Sequence, residues 1–136
     1  MDTGTQTPAQ LYALAVGVVL VIAGVIGFFY SAAFGTPGQI SPVFGILDVN
    51  GWHNVVHLAL GGVLLAVAGN PGLARPVCLA FGAVSIVVFI LGLVMNPIFG
   101  ILPVNAADDV LHLLLGLAAI GAALASGEER TAPAQP

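Results

Sequence analysis

Four uninterrupted apolar stretches, each about as long as a bilayer is thick, constrain this chain more than any other feature. They cover residues 11–30, 52–68, 76–96 and 108–125, separated by Gly, Pro and Asn. At about 1.5 Å per residue, some twenty helical residues cross a ~30 Å hydrocarbon core. Nothing in lipid can satisfy an exposed backbone N–H or C=O, so each stretch reads as a helix. A membrane β-barrel would alternate with period two, and these segments do not. The second and fourth stretches are short for a span and borrow length from boundary residues such as Trp52.

Composition points the same way. Charged residues make up 6% of the chain and hydrophobic ones 59%, against roughly 25% and 45–50% in soluble domains. Two basic and six acidic side chains cannot clothe a water-soluble domain, and the net charge of −4 gives nucleic acid no basic surface to bind. The single cysteine, Cys78, permits no internal disulfide and reads as a small apolar residue near a helix start. The N-terminal segment has Asp2 and no Lys or Arg, so the first span reads as retained and not as a cleaved signal. Arg75 and Arg130 fall on one side of a four-span topology, and the opposite loops have no basic residue. The positive-inside rule then predicts a multi-pass protein of the inner (plasma) membrane with both termini cytoplasmic.

The chain also repeats itself. Phe44-Gly45-Ile46-Leu47-Asp48-Val49-Asn50 returns as Phe99-Gly100-Ile101-Leu102-Pro103-Val104-Asn105. In the same register Val55 matches Val110, His57 matches His112, Leu58 matches Leu113, Leu60 matches Leu115 and Gly61 matches Gly116. Matches of Leu, Val and Gly are cheap in such a sequence; recurrence of Asn followed by His at the same spacing is not. The first and third spans match through Gly17 with Gly82 and Gly27 with Gly92. The expected architecture is all-α: an integral membrane four-helix bundle of two tandem hairpins, inserted in the same direction and related by a pseudo-two-fold axis along the membrane normal. The predicted layout is a cytoplasmic segment (1–10), a first hairpin (11–69), a cytoplasmic loop (70–76), a second hairpin (77–126) and a disordered cytoplasmic tail (127–136).

The segments His53-Asn54-Val55-Val56-His57-Leu58-Ala59-Leu60-Gly61 and Asn105-Ala106-Ala107-Asp108-Asp109-Val110-Leu111-His112-Leu113-Leu114-Leu115-Gly116 carry a resemblance. Over most of its length the chain resembles the small bacterial four-helix membrane proteins of domain-of-unknown-function family 4383. The family's Asp-Asn before the helix stands here as Asp108-Asp109. The resemblance implies topology and no activity.

Asn50 and Asn105 sit where helix N-caps are wanted, and Asp108 falls at the third helical position, as in a capping box. Asp108 and Asp109 also complement the positive end of the helix dipole. His57 and His112 lie about two turns, or roughly 10 Å, past those caps, where an ionisable group usually faces a partner or a cavity. His53 is one turn from His57, and Asp108 one turn from His112. If the pseudo-two-fold brings the second and fourth helices together, all four side chains converge. Three roles then compete: interhelical hydrogen bonding, metal or haem ligation by His57 and His112 with His53 and Asp108, and a relay for protons or small solutes. Neither Cys or Met ligands nor basic partners for haem propionates lie near.

No phosphate-binding Gly-Lys motif, Cys-x-x-Cys or HExxH occurs, and Ser85 in the third span has no base beside it in sequence. The leading expectation is a non-enzymatic structural or accessory membrane protein in contact with lipid, either as a homo-oligomer or within a membrane complex. The alternative is a redox or sensing protein that binds metal or haem.

Overall fold

The computed structural model describes residues 4–35 and 39–127. Among these, four helices are long and apolar enough to cross a membrane: α1 (Pro8–Phe28), α2 (Gly51–Ala68), α3 (Pro71–Val94) and α4 (Ala106–Ala125). They form an all-α bundle in which α1 packs mainly on α2 and α3 mainly on α4. The tail from residue 128, including Arg130, lies outside the described residues.

Each helix start has a local cause. Thr7 caps α1 and forms a capping box with Gln10, followed by Pro8 in the first turn. Asn50 caps α2, and Asn105 caps α4 in a box with Asp108. The third helix departs from the sequence reading, which placed a loop over residues 70–76. Asn70 accepts hydrogen bonds from the Gly72 and Leu73 amides, Pro71 takes the first helical position, and Pro76 lies inside the helix. The two hairpins are therefore joined by only Gly69 and Asn70.

The second departure is between helices. Residues 41–49 form a small antiparallel pair, β1 (Ser41–Val43) and β2 (Leu47–Val49), with Val43 opposite Leu47. The second half repeats this as a bridge between Ile98 and Leu102. Both turns place Phe-Gly at positive φ: Phe44 at 50° and Gly45 at 73°, Phe99 at 50° and Gly100 at 74°. The Ile46 amide donates to the Val43 carbonyl, and the Ile101 amide to the Ile98 carbonyl. Positive φ at two successive turn residues is a pattern usually written with Asn-Gly.

The bundle is inside-out relative to a soluble one. Val19, Val87, Leu114 and Leu117 are more than half exposed or close to it on the outer faces, as lipid contact requires. Lipid tails are as apolar as leucine, so helices must be held by close packing and interhelical hydrogen bonds. Glycine supplies the first. A Cβ on Gly17 would meet the Gly61 carbonyl at 3.1 Å and one on Gly61 the Gly17 carbonyl at 2.9 Å; Gly82 and Gly116 repeat the arrangement at 2.9 and 3.0 Å. Polar handles supply the second, at the end of the bundle nearer the termini. There the Tyr12 hydroxyl donates to the Leu115 carbonyl (2.7 Å), Gln10 Nε2 to Ala68 (3.0 Å) and Arg75 Nε to Ala123 (3.2 Å).

Candidate functional site

At the hairpin end the two halves hold each other reciprocally. Asn50 Nδ2 donates to the Ile101 carbonyl at 2.6 Å, and Asn105 Nδ2 donates to the Ile46 carbonyl at 2.6 Å. Each carboxamide oxygen meanwhile accepts from its own helix, from the His53 amide (2.9 Å) or the Asp108 amide (3.0 Å). One side chain thus caps a helix and clamps the opposite turn, and the repeat makes this happen twice.

Beneath the clamps, His53 and His57 on α2 meet His112 on α4. One ring nitrogen from each imidazole lies within 4.8 Å of the others. The His53 and His57 rings are 4.4 Å apart edge-on, and His53 stacks over His112 at 6.3 Å. His53 is buried, and its Nδ1 is 3.0 Å from the Asp48 carbonyl. A carbonyl can only accept, so this nitrogen carries the proton, and the Pro103 carbonyl is a second backbone acceptor for the same ring. The Nδ1 atoms of His57 and His112 are buried with no hydrogen-bond partner among the described residues.

Asp108, the fourth candidate ligand, stands outside this trio. Its Oδ2 accepts from the Asn105 amide (3.0 Å) and from the Asp48 amide of the other half (3.2 Å), so two backbone N–H groups hold that oxygen. Asn54 donates to the Ser31 carbonyl at 2.8 Å and not to a histidine. Its Oδ1 lies against Gly27, as Asp109 Oδ1 lies against Gly92. Both oxygens lack a hydrogen-bond partner among the described residues.

The three histidines line a partly enclosed cavity of about 80 Å³. Small-molecule pockets run to roughly 300–1,000 Å³, so this one has room for an ion and a few waters, and not for a macrocycle. Its remaining walls are aliphatic, with Phe81 and one hydroxyl, Ser85. Ser85 is buried in α3, and no pattern within its own span marks it. Aligning the third span on the first through the paired glycines places it opposite Leu20, which faces the same cavity.

The first half has a counterpart in an open groove of about 260 Å³ between α1 and the first hairpin. Val19, Ala23, Val43, Leu47 and Val49 there correspond by the repeat to Val84, Val88, Ile98, Leu102 and Val104 around the cavity. His57 and Asp108 border the groove where His112 and His53 border the cavity. The halves therefore share a frame and differ in the polar groups set into it.

No curated protein and no solved structure matches the chain. A family model does, over residues 10–125, which takes in all but the first two residues of the four helices, both hairpins and the three histidines. On that match the chain belongs to the family described as Domain of unknown function (DUF4383).

Proposed function

We propose that this membrane protein binds a transition-metal ion through His53, His57 and His112. The carrying observation is the approach of three imidazole nitrogens to within 4.8 Å of one another beside a partly enclosed cavity. Ligand nitrogens about 2.0–2.1 Å from a tetrahedral ion lie roughly 3.4 Å apart, a contraction that small side-chain rotations supply. Imidazoles without thiolate or thioether partners suit zinc or copper. A metal-ligating histidine usually donates its second ring N–H to a carbonyl or carboxylate, as His53 does to Asp48. Bound metal would also give the buried Nδ1 atoms of His57 and His112, which have no hydrogen-bond partner among the described residues, a use that packing alone does not.

The accessory reading keeps a place beside this one, since an ion ligated by both halves stabilises a bundle without any turnover. In this proposal both termini face the cytoplasm, the hairpin end faces the opposite side of the plasma membrane, and a homo-oligomer or larger complex is compatible with the lipid-facing surface. The test is metal analysis of detergent-purified protein after equilibration with Zn²⁺ or copper and removal of excess. Near-stoichiometric metal in the natural chain, lost in His57→Asn and His112→Asn, supports the site; equal metal in all three, or none in any, overturns it.

A further inference from the structure

Two departures from the internal repeat fall on the same cavity. The position of Asp108 is taken in the first half by His53, which contributes the third imidazole. The position of Leu20 is taken in the second half by Ser85, which contributes the one hydroxyl of the wall. Apart from His57 and His112, which match each other, the other paired positions around this cavity and its counterpart groove are apolar in both halves, for example Val43 with Ile98 and Leu47 with Leu102. A buried hydroxyl in a lipid-embedded bundle has little to gain from apolar walls, and here it shares a chamber with three potential ligands.

We infer that the metal site is an open one: three histidines hold the ion, its fourth position faces the cavity, and Ser85 hydrogen-bonds a water bound there. This rests on the metal reading above. Closed structural zinc sites use four protein ligands, whereas sites with three keep an exchangeable water. The described residues supply three imidazoles to the cavity and no Cys, Asp or Glu, so no fourth protein ligand of these types closes the set. A chamber of about 80 Å³ accommodates a water and its replacement by a small ligand such as azide or cyanide. Ser85 is a positioning residue in this scheme, acting on the water and not on the metal.

Reconstitution of metal-free protein with Co²⁺ tests the inference, because visible d–d bands report coordination directly. A four-coordinate spectrum that shifts on titration with azide or cyanide is the expected result. Ser85→Ala should retain Co²⁺ and fold while weakening azide or cyanide binding about five- to tenfold, and Ser85→Thr should restore it. Bands that neither ligand moves overturn the open site, and a Ser85→Ala protein that binds both as the natural chain does overturns the role of Ser85; either result leaves the metal reading standing. Failure of Co²⁺, Zn²⁺ and copper to bind at all overturns both.

Discussion

Asn50 and Asn105 are each other's counterparts in contact as well as in sequence: each caps its own helix and donates to the turn carbonyl of the opposite half, both at 2.6 Å. Serine separates the two tasks, since it caps well but is too short to span the gap. Asn50→Ser, at the part-buried clamp, should cost about 1–3 kcal/mol, the range for leaving a buried carbonyl unsatisfied, and Asn105→Ser, at the exposed clamp, about 0.5–1.5 kcal/mol. Thermal or chemical unfolding in detergent measures this, and serine variants as stable as the natural chain would remove the clamp from the account.

The glycine faces predict a contrast within one helix. Gly61→Ala and Gly116→Ala place a Cβ at about 3 Å from a facing backbone carbonyl and should lose about 1–3 kcal/mol by forcing the helices apart. Gly62→Ala and Gly121→Ala meet nothing within 4 Å and should be neutral or slightly stabilising. Equal behaviour of the two classes in the same unfolding assay would contradict the packing described.

Metal binding by both halves predicts linkage between ligand and stability. At a free-metal concentration about 100 times Kd, a site present only in the folded bundle adds about 2.7 kcal/mol. Zn²⁺ or copper should raise Tm of the natural chain and leave that of His57→Asn unmoved. A shift of the same size in both proteins would place the effect elsewhere.

Phe99 occupies a left-handed position at φ 50° with its ring 70% exposed. Asparagine accepts that conformation far more readily and completes the favoured Asn-Gly turn. Phe99→Asn should therefore stabilise the isolated protein in detergent by about 1 kcal/mol. A lowered unfolding midpoint would show that the phenyl ring packs on something whose worth exceeds the backbone strain.

Much of this architecture is legible in the residues, for reasons that also explain the gaps. Four spans are visible because lipid demands continuous apolar sequence, and the pairing of halves because Asn and His are rare enough for their recurrence to mean something. The start of α3 is harder to read: Pro71 and Pro76 both suit a first turn, and only the bonds of Asn70 to Gly72 and Leu73 decide between them. The hairpins escape notice because Phe-Gly is not a usual signal for their turn. At the candidate site, helical spacing aligns His53 with His57 and the repeat aligns His57 with His112. The same logic draws in Asp108, whose Oδ2 is instead held by the amides of Asn105 and Asp48. Ser85 joins the cavity only through the weaker register between α1 and α3.

The two-residue junction of Gly69 and Asn70 has a further consequence. Two identical hairpins meeting about an exact axis could present only even numbers of any side chain, two histidines or four. Covalent fusion lets the copies diverge at chosen positions without losing the frame they share. Three imidazoles, one diverted carboxylate and a single hydroxyl are an odd set, one that two identical copies could not assemble.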